Sequence, residues 1–110
     1  MELTGLQEEA IELLKKLIST RSFSGEEDGT AALLEQWFKD HDIPCNRHLN
    51  NVWAVNNHFD EAKPTLLLNS HHDTVKPNLA YTKDPFDPQI TDCKLFGLGS
   101  NDAGGCLVSL

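Results

Sequence analysis

An α/β fold is predicted for this 110-residue chain: an incomplete α/β/α domain with a mixed, mostly parallel sheet and flanking helices. Three observations predict it. Two stretches in the first half carry apolar residues at helical spacing. The run Thr65-Leu66-Leu67-Leu68-Asn69 has no polar alternation, as expected for a strand covered on both faces of a parallel sheet. A glycine-rich loop, Gly97-Leu98-Gly99-Ser100-Asn101-Asp102-Ala103-Gly104-Gly105, follows a short strand and opens another helix. Helices and strands that alternate in this way form α/β layers.

The first helix is expected over about Leu3 to Ser19. There Leu3, Leu6, Ala10, Leu13, Leu14, Leu17 and Ile18 recur at spacings of three and four. Acidic residues in its first half and Lys15-Lys16 near its end suit the helix dipole. Ser22-Phe23-Ser24-Gly25 is a break, and Ser24 is expected to cap a second helix with Glu27 as its capping-box partner. That helix should run to about His41 and bury Ala31, Leu34, Trp37 and Phe38, with Pro44 preventing continuation. Residues 43–49 and 51–58 read as two short strands around a tight turn at Asn50-Asn51. Asp60 to Pro64 is a loop, and Thr65 to Asn69 is the central strand. Lys76 to Asp92 is rich in Pro, Asp and Asn and reads as a loop, with Asp84-Pro85-Phe86 as a fixed turn. Lys94 to Phe96 is a short strand, and a helix is expected to begin at Asp102.

Length bounds the chain to one domain, 1–110, whose 39% apolar content suffices for a modest core. The formal charge of −8 argues against nucleic acid and anionic membranes as partners. No apolar run approaches the roughly 20 residues of a membrane span. Met1-Glu2-Leu3-Thr4 lacks the basic start of a secretory signal, so a cytoplasmic location is expected. Cys45, Cys93 and Cys106 are odd in number and widely spaced, as reduced thiols are. Cys106 stands near Asp102 but belongs to the expected helix, where it reads as a small apolar residue rather than a thiolate ligand.

The chemistry concentrates at His71-His72-Asp73 and Asp102. Ligand sites in α/β folds gather at the carboxyl ends of strands. His71 and Asp73 follow the end of one expected strand, and Asp102 follows another at a helix start. A neutral imidazole and a carboxylate suit zinc. His71 and Asp73 are two apart and share a face in extended backbone. Asp73 can therefore accept a hydrogen bond from the second ring nitrogen of His71, fixing its tautomer and strengthening it as a ligand. His72 faces elsewhere. A phosphate cradle fits poorly, since Gly97-x-Gly99 lacks a third glycine in register and Asp102 would repel phosphate. His41, His48 and His58 read as solvated, and Asp84, Asp87 and Asp92 as turn carboxylates. Ser70 and Ser100 lack a G-x-S-x-G context, and Trp37, Phe38 and Trp53 read as core.

With these residues in view, the chain resembles the amino-terminal part of the dizinc aminoacylase/carboxypeptidase family, which includes acetylornithine deacetylases and succinyl-diaminopimelate desuccinylases. The resemblance follows the order of elements over nearly the whole chain. It is specific at Leu68-Asn69-Ser70-His71-His72-Asp73-Thr74-Val75 and at Leu95 to Gly105, with Asp84-Pro85-Phe86 between them. It implies that His71 ligates one zinc, that Asp73 is the catalytic-site carboxylate orienting His71, and that Asp102 bridges two zinc ions. Cobalt or manganese could occupy similar ligands. The resemblance also implies a cis peptide bond between Asp102 and Ala103.

Relatives often carry Arg, Met and Lys where this chain has Leu98, Ala103 and Gly104. The wording Gly97 to Gly104 looks most like acetylornithine deacetylases of arginine biosynthesis. The implied reaction is hydrolysis of an N-acyl amino acid to a carboxylate and a free amino acid, in a homodimeric full-length protein. The family's catalytic glutamate, its remaining ligands and its inserted domain fall beyond the equivalent of Leu110. The 110 residues by themselves are therefore expected to bind zinc weakly and not to turn over. A dipeptidase or carboxypeptidase of the same family, or a truncated non-catalytic binding module, are the alternatives.

Overall fold

The computed structural model describes residues 3–110, except the side chain of Leu3, so the apolar contact expected of Leu3 lies outside the described residues. Helix α1 spans Leu3–Ser19 and α2 spans Asp28–Asp40. Strands β1 (Cys45–His48) and β2 (Asn51–Ala54) form one hairpin, and β3 (Gln89–Thr91) and β4 (Lys94–Phe96) a second. An irregular helical turn over Ser100–Gly104 leads into the one-turn helix α3 (Gly105–Val108).

The mixture of helices and strands agrees with an α/β class, but the sheet differs from expectation. Both sheets are antiparallel pairs, β1-β2 and β3-β4, rather than a mostly parallel sheet. Among the described residues, parallel pairing is confined to a single bridge between Phe23 and Thr74. The cause lies in residues 65–69. They form no strand, and Leu66, Leu67 and Leu68 are 82%, 81% and 56% exposed. Among the described residues nothing pairs with this run or covers it, so its composition has no layer to enter.

The surface is correspondingly large. A folded 12.3 kDa monomer exposes about 6,100 Å², whereas this chain exposes 8267 Å². The small core is built from Leu14, Leu17 and Ile18 of α1 and Ala31 of α2. Among the described residues of the α1 stripe, Leu14, Leu17 and Ile18 are buried, Ala10 and Leu13 half-buried and Leu6 exposed. On α2, Ala31 is buried as expected, while Leu34, Trp37 and Phe38 are half-buried.

Helix α1 also backs the glycine-rich loop. A Cβ on Gly97 would collide with the Ile18 side chain, and one on Gly104 would lie 2.6 Å from Leu14 Cδ1 and 2.8 Å from the Gly99 carbonyl oxygen. The loop packs this closely because these two positions carry no side chain. The helix expected from Asp102 begins later, at Gly105, because Asp102 and Ala103 have non-helical backbone angles. Cys106 is exposed rather than packed, and all three cysteines are free thiols.

The β1-β2 hairpin turns at Leu49-Asn50, one residue earlier than expected, since His48 pairs with Asn51. Leu49 takes a positive φ of 56°, and its carbonyl accepts a hydrogen bond from Arg47 Nε at 2.6 Å. Arg47 also pairs with Asp28 and Glu35 of α2, which ties the hairpin to that helix. Burial alternates along the hairpin, so Val52 and Ala54 face inward and Trp53 outward. Trp53 is 47% exposed and is not core.

His41, expected to be solvated, is instead a clamp. Its ring stacks on Trp37 at 4.0 Å, Nδ1 lies 2.8 Å from the Trp37 carbonyl, and Nε2 lies 3.0 Å from Glu9 Oε2 on α1. Both nitrogens face acceptors, which only the doubly protonated ring can satisfy. The Trp37 carbonyl, then Glu9, hold its pKa above the usual value. This contribution to stability is complete below the unfolded pKa of about 6.5 and is lost as pH rises through the higher folded value. A His41→Ala substitution is therefore expected to cost a few tenths of a kcal/mol to about 1 at acidic pH and less at alkaline pH, read by thermal unfolding at both. An equal cost at the two extremes would contradict the clamp.

Candidate functional site

The segment 70–75 is positioned by the connection between α1 and α2. Thr74 N–H donates to the Ser22 carbonyl at 2.7 Å and Ser24 N–H to the Thr74 carbonyl at 3.2 Å. This pairing brings Ser24 beside Asp73, and the Ser24 hydroxyl donates to Asp73 Oδ2 at 2.5 Å. Ser24 is thus not the cap expected of it. The N-cap of α2 is Glu27, whose side chain accepts from the Gly25 N–H at 2.6 Å. That bond chiefly, with one from Asn50 Nδ2, holds Glu27 below the usual carboxylate range.

His71, Asp73 and Asp102 come together. His71 Nδ1 lies 3.0 Å from Asp73 Oδ1 and 3.2 Å from the Asp73 main-chain oxygen. On the other side of the ring, Nε2 lies 3.1 Å from Asp102 Oδ1. Asp102 is carried by the turn after Gly99, its side chain is 87% exposed, and its peptide bond to Ala103 is cis. Partial burial works against charging His71. The Asp73 carbonyl, the hydrogen bond to Asp102 and the charges of both carboxylates outweigh it and raise its pKa. Asp73 is held below the usual carboxylate range, first by the Ser24 hydroxyl and also by His71, against the opposing effect of burial.

His72 turns the opposite way. Its Nε2 lies 2.7 Å from the Asn50 carbonyl and its Nδ1 2.7 Å from Thr30 Oγ1. A carbonyl only accepts, so Nε2–H donates to Asn50, while Nδ1 meets the Thr30 hydroxyl. His72 thereby fastens the β1-β2 turn to α2. Thr30 is a polar residue that reading the sequence missed, and Ser24 was read as a helix cap rather than as the partner of Asp73. Nothing in their spacing announces contacts with residues more than forty positions away.

The donor set fits a metal ion in kind. An imidazole nitrogen and a carboxylate oxygen converge 3.1 Å apart, each able to bond a cation at about 2.0–2.2 Å, once Nε2 gives up its proton. In number they fall short, since among the described residues no group of three or more His, Cys, Asp or Glu side chains is arranged to hold a metal ion. The three side chains line an open cleft of about 340 Å³ together with Thr74, Val75, Tyr81 and residues 97–101. The described residues contain no helix long and apolar enough to cross a membrane.

No protein-family model matches the chain. Individual proteins do. A succinyl-diaminopimelate desuccinylase of Xanthomonas euvesicatoria pv. vesicatoria is 32% identical over 107 residues, covering 92% of this chain and 28% of that protein. One from Stenotrophomonas maltophilia is 30% identical over 105 residues, 90% of this chain and 27% of its own length. An acetylornithine deacetylase of Klebsiella pneumoniae is 34% identical over 110 residues, 86% of this chain and 28% of its own. The chain spans little more than a quarter of the length of these relatives, whose names are those of hydrolases of small N-acyl amino acids. Over most of its length, the chain is a homologue of the desuccinylases and deacetylases of the dizinc aminoacylase/carboxypeptidase family.

Proposed function

We propose that this chain is the amino-terminal part of the catalytic domain of a metal-dependent amide hydrolase that deacylates N-acyl amino acids. The observation that carries the reading is the line Asp73–His71–Asp102, in which one carboxylate orients the imidazole and the other shares its free face. His71 and Asp102 would hold the metal, zinc by donor type, with Asp102 bridging two ions. Bound there, the ions would polarise the amide carbonyl and supply the attacking water at neutral pH. Asp73 holds the ring by Nδ1 and leaves Nε2 to the cation, while Ser24 keeps Asp73 charged. The further ligands and the proton-carrying glutamate belong, on this reading, to the sequence that the longer relatives have and these 110 residues do not. The complete protein is then a cytoplasmic homodimer.

N-acetylornithine or a close analogue is the preferred substrate, from the wording of Gly97 to Gly104. The desuccinylases among the relatives support a succinylated amino acid as the second reading. Purified full-length enzyme, stripped of metal and reloaded with zinc, should release free amino acid from N-acetyl or N-succinyl substrates only when loaded. Equal hydrolysis after chelation, or none with any N-acyl amino acid, would overturn the proposal.

The orienting line makes a graded prediction. Asp73→Asn in that enzyme should lower zinc affinity or activity about 10- to 100-fold. Ser24→Ala, one step further out, should lower it only several-fold, read as kcat/KM for the better substrate. A Ser24→Ala loss as large as that of Asp73→Asn would contradict this ordering.

A further inference from the structure

We infer that Tyr81 is a substrate-binding residue of this cleft, its phenol donating a hydrogen bond to a carboxylate of the bound molecule; the inference rests on the deacylase reading above. Tyr81 is the only tyrosine of the chain and the only Phe, Tyr or Trp lining the cleft that holds His71, Asp73 and Asp102. It is 42% exposed, and among the described residues its hydroxyl has no hydrogen-bond partner. Its backbone is built to present it. Asn78 closes a turn in which its side-chain oxygen accepts from Ala80 N–H at 2.8 Å and its carbonyl from Tyr81 N–H at 3.0 Å.

The loop that carries Tyr81 is fastened further along. Leu98 N–H donates to the Pro85 carbonyl at 2.7 Å, Phe86 packs on Phe23 with ring centroids 6.1 Å apart, and Arg21 lies 4.6 Å from the Phe86 ring centre. The backbone that carries Tyr81 at the cleft is therefore fixed by a turn before it and an anchored segment after it.

Charge points to the ligand group. Two carboxylates, Asp73 and Asp102, line the cleft, and no lysine or arginine does. A substrate carboxylate entering there needs a donor that brings no like charge. The neutral side-chain donors of the lining are Thr74, Tyr81, Ser100 and Asn101. The Thr74 hydroxyl oxygen is buried. Ser100 and Asn101 belong to the same turn as Asp102, the residue assigned above to the metal. Tyr81 offers an apolar ring face and a donor at its tip, the combination typical of small-ligand pockets.

An N-acyl amino acid has one carboxylate, or two when the acyl group is succinyl, and Y81F separates the two sources. The full-length enzyme and its Y81F variant would be compared on the N-acetyl and N-succinyl derivatives of one amino acid. Loss of a hydrogen bond to a charged group should raise KM about tenfold or more with kcat nearly unchanged. A rise for both substrates assigns Tyr81 to the amino acid carboxylate, and a rise for the succinyl substrate alone to the acyl carboxylate. No rise for either, or a fall in kcat with KM unchanged, overturns the inference while leaving the deacylase reading intact. Calorimetric binding of the two compounds to both proteins reads Tyr81 without turnover. Wild-type enzyme that binds but hydrolyses neither would fail the deacylase reading alone.

Discussion

Asp102→Ala in the full-length enzyme is expected to abolish amide hydrolysis, with kcat falling on the order of a thousandfold or more. The basis is its place opposite Asp73 on the His71 ring, where its oxygen meets the one imidazole nitrogen not held by Asp73. If Asp102 holds the metal as proposed, its removal would take away a ligand, and the charge stabilisation that metal ions provide would be lost together with their positioning. Asp102 contributes little to folding, because its side chain is 87% exposed and, among the described residues, bonds only His71. Thermal stability of the metal-free protein should therefore be unchanged to within about 0.5 kcal/mol. Retention of more than about a tenth of the activity, a loss smaller than removal of a single oxyanion-hole donor brings, would place the chemistry elsewhere.

The second large effect concerns stability and should depend on context. Leu67→Ala is expected to cost within about 0.5 kcal/mol in the 110-residue chain, where Leu67 is 81% exposed. In the full-length enzyme the same change should cost about 2–5 kcal/mol, as for a buried leucine. Three successive leucines without polar alternation have the composition of a strand between two covering layers, yet nothing covers them among the described residues. The 110-residue chain should also associate through this patch, which is long, apolar and unpaired. Denaturant unfolding of wild type and variant in both contexts checks the difference. A cost below about 0.5 kcal/mol in both would mean that residues 65–69 are a surface loop in the longer protein as well.

What could be read from the sequence divides along physical lines. Helix α1 was legible end to end, because a stripe at helical spacing is a local signal; how deeply it is buried was not, and Leu6 is exposed where Leu14, Leu17 and Ile18 are covered. The β1-β2 hairpin was legible, but its turn was misplaced by one residue because a leucine occupies the positive-φ position that Asn or Gly favours. Residues 65–69 were read as a central strand from composition alone, and pairing requires neighbours that composition cannot supply. In the candidate site, His71, Asp73 and Asp102 converge although no strand immediately precedes His71; the pairing of Thr74 with Ser22 and Ser24 places the first two instead. The site roles of Ser24 and Thr30 were invisible because their contacts with Asp73 and His72 are set by how the α1-α2 connection pairs with Thr74. His41 was misjudged for the same reason, since its partner Glu9 lies on another helix.

Metal analysis of the full-length enzyme and its His71→Ala variant, both purified and dialysed against buffered zinc, tests the central claim most directly. Wild type should retain about two zinc ions per subunit, as expected of a two-metal site, and the variant should lose at least one of them together with its activity. Equal zinc content in the two proteins, or none in the wild type while it still hydrolyses N-acyl amino acids, would contradict the assignment of His71 and Asp102 as the metal-holding pair.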